Sequence, residues 1–340
     1  MSDFLLNILR GINDLLGNYG WSVVVFTICV RLLLLPFDYK SRVGMRRTAK
    51  LQPKIQALQK KYAKDQQKLN QKMNELYRNE HASPLSGCLP MLLSYPILIW
   101  MFTAMRSFAN EQVVRQVLEM LQHPDQQPIL DGWLWIKNLW MPDSPFSAAV
   151  VDLNTMKIVP KEIWLKVINA DTLSALAAQY PALSSLTLES FTTDTAGTIQ
   201  LIASTLSGLD IYKSMTAGVP GWTNVHFLIT SLTVMKEYNG LFLLPIFSAV
   251  SNLAMSSMTP QQPTPVAADD ERAKATQSTG KMMKWFFPIF SLWICASSNG
   301  AFALYWVTSN LIMMATTFLI NKYLDHKEAK TVIAGEGTVK

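Results

Sequence analysis

The sequence predicts an all-α integral membrane protein. We expect a five-transmembrane-helix bundle with an N-terminal interfacial helix, a cytoplasmic helical hairpin and a small external insertion domain. Hydrophobic residues make up 49% of the 340 residues and charged residues only 16%, a balance typical of membrane proteins. Five apolar stretches are candidates to cross a bilayer, and positive charge is concentrated in one loop between them.

The first 18 residues (1–18) predict an amphipathic helix. Phe4, Ile8 and Leu15 fall on one helical face, and Arg10 and Asn13 fall on the other. The segment is too polar to span a bilayer, so we predict that it lies in the interface of the outer leaflet. Packing against an external domain is the alternative.

Residues 19–38 form the first predicted span. From Trp21 to Phe37 the sequence is almost continuously apolar, with Arg31 in its second half. A guanidinium in hydrocarbon costs at least about 2.5–3.5 kcal/mol, so an intramembrane arginine is a candidate functional residue. The alternative is that its side chain snorkels to the nearer interface. Pro36 is compatible with a break or kink at the end of this span.

Residues 39–80 contain twelve Lys and Arg but only three Asp and Glu. Apolar residues at helical spacing predict two antiparallel helices that turn at Lys64 and Asp65, with Pro53 kinking the first. Because short basic loops stay in the cytoplasm, this hairpin predicts an external N-terminus and a cytoplasmic C-terminus. Its basic face is either solvated or a contact for anionic lipid, a nascent chain or ribosomal RNA.

Residues 81–106 form the second predicted span, with Ser94 and Pro96 at membrane depth. Residues 107–238 carry seven basic and twelve acidic residues, and we predict that they are external. Their aromatic segment 133–143 suits a membrane interface.

The remainder of the external segment predicts a small helical domain. Helical patterns occur at 172–186 and 197–209 and weak strand-like runs elsewhere between about 146 and 237, and the apolar run 226–235 is too short to span. The sequence does not indicate the role of the insertion 146–237.

The third predicted span, 239–258, carries four polar residues on one face: Ser248, Ser251, Asn252 and Ser256. They predict either a functional polar wall or close packing between membrane helices, because small hydroxylated residues favour both.

Residues 259–281 predict a hydrophilic cytoplasmic loop. The fourth and fifth spans, 282–298 and 299–321, predict a helical hairpin with a tight turn. For the cytoplasmic tail, 322–340, we expect disorder.

No chemistry-bearing motif is evident. The three cysteines lie in or beside apolar runs and the four histidines are isolated. The sequence has neither a phosphate-binding loop nor a nucleophile elbow. We therefore predict a protein that is not an enzyme and that uses no metal and no cofactor.

The order and content of five segments carry a family resemblance. They are TICVRLLLLP in the first span, LQPKIQALQKKYAKDQQKLNQKMNELYRNE in the hairpin, SPLSGCLPMLLSYPI at the second span, WLWIKNLWMPD outside, and SNGAFALYWVTSNLI in the fifth span. Together they resemble the YidC/Oxa/Alb family of membrane-protein insertases, most like its short bacterial type with an enlarged external loop. The resemblance covers about residues 1–143 and 238–323.

The resemblance implies a hydrophilic groove that is open to the cytoplasm and to lipid. With the polar faces of the third and fifth spans, its candidate lining is Arg31, Thr27, Ser94, Ser248, Asn252, Tyr305, Trp306 and Ser309. Relatives often carry glutamine where Ser94 stands. The candidate residues for recruiting a client or the ribosome are Arg46, Arg47, Lys50, Lys54, Lys60 and Lys61.

The implied function is insertion of membrane-protein clients into the bacterial plasma membrane without nucleotide hydrolysis. Arg31 would attract acidic residues of the arriving segment, and the client helix would slide into the lipid bilayer. The Sec translocon and the ribosome are candidate partners. The alternatives are an assembly chaperone or scaffold for one membrane complex, and a small-solute transporter, against which the sequence offers no internal repeat.

Overall fold

The computed structural model describes residues 2–63, 65–80, 89–227, 230–258 and 271–336. The described chain is mostly helical. Its helices are α1 Ser2–Leu16, α2 Tyr19–Lys50, α3 Gln52–Lys61, α4 Gln66–Asn79, α5 Leu89–Gln122, α6 Leu153–Lys157, α7 Lys161–Val167, α8 Ala170–Gln179, α9 Ser190–Thr193, α10 Thr195–Gly208, α11 Asp210–Met215, α12 Leu243–Met258, α13 Glu271–Ser297 and α14 Gly300–Glu336.

Helical content agrees with the predicted class, but the chain is not wholly α-helical. Strands β1 Val225–Phe227 and β2 Thr230–Leu232 pair antiparallel within the run that was predicted only as apolar. Among the described residues, Tyr19–Lys50 and Gly300–Lys327 are long and apolar enough to cross a membrane, and Leu243–Met258 is apolar but shorter. The number of five spans stays a prediction.

The chain divides into two compact units, and the first comprises residues 1–26, 100–247 and 292–306. Its core is formed by the predicted external domain and the last turns of α5. Trp164 and Phe191 are fully buried there, with stacked rings 5.9 Å apart. Val114 and Leu121 of α5 belong to the same core. The second predicted span was placed as far as residue 106, yet α5 continues to Gln122, because its outer end buries an apolar face in this domain.

Local capping explains where the external helices begin. The side chains of Asp152, Asn169 and Asp194 accept backbone N–H groups at the starts of α6, α8 and α10, which satisfies donors that a helix leaves unpaired. The predicted helical patterns at 172–186 and 197–209 therefore correspond to α8 with a short 3₁₀ turn, and to α10.

The tryptophan-rich loop after α5, residues 133–143, forms hydrogen bonds with the first turns of α12 and α14. The Gly300 N–H donates to the carbonyl of Met141, at 2.9 Å. Asp143 is buried, and its carboxylate accepts the N–H groups of Phe242, at 3.2 Å, and Leu244, at 2.7 Å. The loop thus caps α12 with a carboxylate, a favourable charge at a helix N-terminus.

Helix α1 packs with part of its apolar face and exposes the rest. Leu6 and Leu9 are buried, whereas Phe4 and Leu15 are 64% and 86% exposed. The helix ends at Gly17, whose φ of +64° suits the left-handed C-terminal position. The packing alternative therefore accounts for one side of α1, and interfacial contact with lipid remains our prediction for the other.

A buried carboxylate joins three elements of the first unit. Glu111 of α5 is 4% exposed. It forms ion pairs with Arg10 of α1, at 3.1 Å, with Arg115, at 3.1 Å, and with Lys166 of α7, at 2.8 Å. Burial raises the pKa of Glu111, but hydrogen bonds from Lys166 and Arg115 and the charges of Lys166 and Arg10 outweigh it and leave this pKa below its ordinary value.

The second unit comprises residues 27–99, 248–291 and 307–340. Helices α3 and α4 form the predicted hairpin, with Asp65 capping α4. Pro36 does not break α2, which continues through it to Lys50; a kink there stays a prediction. The predicted kink at Pro53 was wrong, because Pro53 occupies the first turn of α3, where its missing N–H costs nothing.

The prediction of a disordered tail was also wrong for residues 322–336. Helix α14 continues to Glu336, because the segment is rich in strong helix formers. Arg46 of α2 also binds it, through an ion pair with Asp325 at 2.7 Å. The predicted loop 259–281 lies largely outside the described residues, although α13 already begins at Glu271.

Glu111 makes the stability of the first unit pH-dependent. Because its folded pKa is lowered, its contribution is complete above its ordinary value of 4.5 and is lost as the pH falls through the lower folded value. We expect Glu111→Gln to cost about 2 kcal/mol near neutral pH, with the difference from wild type closing in acid. Thermal unfolding of the full chain against pH measures this.

The matched control is Glu162→Gln, because Glu162 is exposed and forms no ion pair with any described residue. Identical pH profiles for Glu111→Gln and wild type would contradict the assigned role.

Candidate functional site

The candidate site begins with the arginine of the first predicted span. Arg31 is half-buried on α2, and its Nε donates to Oγ of Ser309 on α14 at 2.6 Å, with Nη2 on the same oxygen. Ser309 is 3% exposed, and Thr27, one turn before Arg31, is fully buried. Within the described residues, no carboxylate forms an ion pair with Arg31. Its hydrogen-bond partner is a neutral hydroxyl.

Two further cations of α2 bind α14. Arg42 is 9% exposed, and its Nη2 donates to Oγ1 of Thr317. Arg46 donates to the carbonyl of Asn321 at 2.9 Å and pairs with Asp325. Going along α2 from Arg31 to Arg46, the partners on α14 also increase in residue number, from Ser309 to Asn321. This part of α2 therefore runs parallel to α14.

Asp38 adds a negative charge to the same face of α2. It follows Arg31 by seven residues and precedes Arg42 by four, and it interacts electrostatically with both. With Thr27, these residues form a polar stripe at helical spacing.

A separate network of polar side chains connects α12, α13 and α14 by hydrogen bonds. Ser248 Oγ donates to the carbonyl of Ser291 at 3.1 Å, and Asn252 Nδ2 donates to the Ser291 hydroxyl at 2.8 Å. Asn310 Nδ2 donates to Oγ of Ser251 at 3.0 Å. These bonds satisfy polar groups for which hydrocarbon offers no partner. Close packing of helices therefore accounts for much of the polar stripe on the third predicted span.

Comparison with known proteins identifies the family. A model of the 60Kd inner membrane protein family matches residues 11–183 and 175–328, which include Arg31 and Ser309. The chain belongs to this family. The YidC/Oxa relationship expected from the five segments is thereby confirmed, and membership with two apolar helices of spanning length indicates a membrane protein.

Three relatives illustrate the similarity, each named Membrane protein insertase YidC. The chain is 42% identical over 105 residues to that of Caldanaerobacter subterraneus (31% of this chain, 51% of the relative). It is 40% identical over 107 residues to that of Fusobacterium nucleatum (32% and 52%). It is 34% identical over 153 residues to that of Campylobacter jejuni (45% and 26%). The matched stretches thus span from a quarter to about half of these relatives.

The remaining candidate groove residues lie in different parts of this family member. Ser94 falls within α5, and its side chain lies outside the described residues. Tyr305 and Trp306 belong to the first unit, where Tyr305 is 4% exposed. Trp306 packs against Phe302, with ring centroids 5.7 Å apart, and its buried Nε1 has no hydrogen-bond acceptor among the described residues.

The candidate recruitment residues fall into two groups. Arg46 is tied to α14, and Lys54 forms an ion pair with Glu80 across the hairpin. The others are directed outward: Arg47, Lys50 and Lys60 are exposed, and Lys61 lies 5.6 Å from the ring of Tyr62. The second group leaves positive charge on the surface at the end of α2 and on α3.

Sequence reasoning missed Arg42 and its partner Thr317. Arg42 was counted with the basic hairpin, although its spacing of eleven residues from Arg31 places both on one helical face. This spacing is the feature of the sequence that indicates a shared face for Arg42 and Arg31. Thr317 has no such signal in a largely apolar span, because its importance depends on the helix that packs against it.

The Arg42–Thr317 contact predicts a measurable loss. Thr317→Val removes the acceptor of a buried guanidinium, and we expect about 1–2 kcal/mol of destabilisation. Thermal unfolding of the detergent-solubilised full chain checks this. Thr316→Val is the matched control, because the Thr316 hydroxyl bonds only to the carbonyl of Met313 in its own helix, at 3.1 Å. Equal losses in the two variants would show that the Arg42 bond contributes nothing.

Proposed function

We propose that the protein inserts membrane-protein segments into a bacterial inner membrane and assists their folding. The observation that carries this is Arg31, a cation in an apolar helix whose one described hydrogen-bond partner is the hydroxyl of Ser309. The names of the similar proteins support the same reading. The orientation proposed has the N-terminus outside and the C-terminus in the cytoplasm.

Arg31 acts on the acidic or polar part of a client that must cross the membrane. A guanidinium in a groove of low dielectric attracts carboxylates more strongly than it does in water, and no described carboxylate forms an ion pair with Arg31. The proposed groove is open to the cytoplasm and lipid, and Thr27 and Ser309 supply hydroxyls beside the cation. The client enters from the cytoplasm and its acidic segment pairs with Arg31.

Release into lipid completes insertion. A client helix of about 20 apolar residues gains free energy when it leaves the groove for hydrocarbon, so the proposed cycle needs no nucleotide. The exposed cations of the α3–α4 hairpin recruit the client first. The Sec translocon and the ribosome are proposed partners at this stage.

Arg31 is tested by reconstituting the full chain in liposomes with a single-span client and scoring protease protection of its translocated tail. For a client with an acidic tail, we expect Arg31→Gln to lower protection by about tenfold, equivalent to about 1.4 kcal/mol. Arg31→Lys is the control, because it keeps the charge, and we expect it to retain most activity. A client with a neutral tail should be much less sensitive.

Equal insertion of the acidic-tail client by Arg31→Gln and wild type would exclude the electrostatic role. Client binding without protection by the folded wild type would instead favour the assembly-chaperone alternative.

Recruitment is tested by removing charge at the end of α2 and on the hairpin. We expect replacement of Arg47, Lys60 and Lys61 by glutamine to lower photo-crosslinking to a stalled nascent chain at least about fivefold, since one basic residue near an anionic surface contributes about 1 kcal/mol. High salt should reduce the difference.

The matched control replaces the exposed external residues Lys157, Lys161 and Lys236, which removes the same total charge. Equal crosslinking by the two triple variants would mean that net charge, and not the hairpin surface, sets recruitment.

A further inference from the structure

The first unit contains a cavity that the proposed insertion route does not use. Its volume is about 380 Å³, and it lies among α5, the tryptophan-rich loop, the start of the external domain and the α13–α14 turn. This volume falls within the range of small-ligand sites. Its walls come from four separate segments of the chain, so the folded unit shapes it.

The α5 wall changes from apolar to polar along the helix. Phe102, Arg106 and Asn110 all line the cavity. They are four residues apart, so they share one helical face at steps of about 6 Å. Arg106 is exposed and makes no hydrogen bond or ion pair with any residue that the structure describes. The cavity therefore offers an unpaired guanidinium beside an aromatic ring.

A carboxylate lines the cavity from the external domain. Asp152 caps α6, where Oδ1 accepts the N–H groups of Asn154, at 2.9 Å, and Thr155, at 3.0 Å, and Oδ2 accepts the Thr155 hydroxyl at 2.5 Å. A carboxylate accepts about four hydrogen bonds. One acceptor position therefore remains on a group that its cap holds in place.

The third wall belongs to the end of α13. Trp293 is 61% exposed, and Ser297 follows it by one helical turn. In the proposed orientation, the α13–α14 turn lies at the outer membrane boundary, and Trp293 and Phe102 lie on its membrane side. Exposed tryptophan is typical of this depth. The cavity thus brings together aromatic rings, a cation on α5 and a carboxylate at the start of α6.

We propose that this cavity binds the headgroup of a zwitterionic aminophospholipid of the outer leaflet. Arg106 binds the phosphate, Asp152 accepts from the primary ammonium, and the acyl chains leave past Phe102 and Trp293. The cation and the carboxylate that line the cavity are complementary to the phosphate and the ammonium of such a lipid. A lipid with an anionic or uncharged headgroup would leave Asp152 without a cationic partner. The inference rests on the proposed membrane orientation, and the insertion activity does not enter it.

Native mass spectrometry of the full chain tests the proposal, using mixed micelles with equal amounts of phosphatidylethanolamine and phosphatidylglycerol. We expect one phosphatidylethanolamine to be retained preferentially, and Arg106→Gln to lower its retention about tenfold. Arg78→Gln on the cytoplasmic hairpin is the control, and it should retain the lipid. Asp152→Asn preserves a helix-capping side chain and should abolish the preference between the two lipids.

A photo-crosslinking residue at Ser297 in intact membranes identifies the occupant directly, and we expect a phospholipid adduct. Equal lipid retention by Arg106→Gln and Arg78→Gln, or preference of the wild type for phosphatidylglycerol, would overturn the proposal. So would a client peptide as the main adduct. Insertion assays on the same variants separate the two proposals, because loss of lipid with normal insertion affects only this site.

Discussion

The packing of α2 against α14 in the second unit depends on the need of the α2 arginines for hydrogen-bond acceptors. Hydrocarbon offers no hydrogen bonds, so each guanidinium within or beside it must find a partner in the protein. Helix α14 supplies those partners in order, with Ser309 for Arg31 and Thr317 for Arg42. The contacts align α2 with α14 in parallel, and sliding either helix by one turn would break both. The bonds among α12, α13 and α14 follow the same rule with neutral groups.

In the first unit, the buried group that needs partners is a carboxylate, and its partners are cations. Glu111 is buried where α1, α5 and α7 meet, and three cations surround it. A buried carboxylate is costly unless it is paired and hydrogen-bonded, so the three elements are held in one arrangement. Because α5 carries Glu111 beyond the predicted membrane segment, the external domain is built on a helix that continues from a predicted span.

Features that depend on local sequence could be predicted, and those that depend on distant partners could not. The α3–α4 hairpin, the turn between Ser297 and Gly300 and the helices of the external domain all have local signals in spacing and turn residues. Of the candidate groove residues, Arg31 and Ser309 are hydrogen-bonded to each other, and their role in a groove stays a prediction. The bonds of Ser248 and Asn252 to Ser291 could not be predicted, because Ser291 lies about 40 residues away in sequence. The sequence indicates weak strand-like runs within 146–237 but does not locate β1 and β2, because strands of three residues carry too little alternation.

The neutral character of Ser309 has a consequence for turnover in the proposed cycle. A carboxylate at that position would occupy Arg31 permanently, and an apolar residue would leave a bare guanidinium that keeps the first carboxylate to arrive. The Ser309 hydroxyl competes with a client carboxylate for Arg31, but only weakly, because its hydrogen bond to a guanidinium is weaker than an ion pair. Each client carboxylate can therefore displace Ser309 and later be displaced by it. Arg31 then works as an exchangeable site that resets itself with no external source of energy.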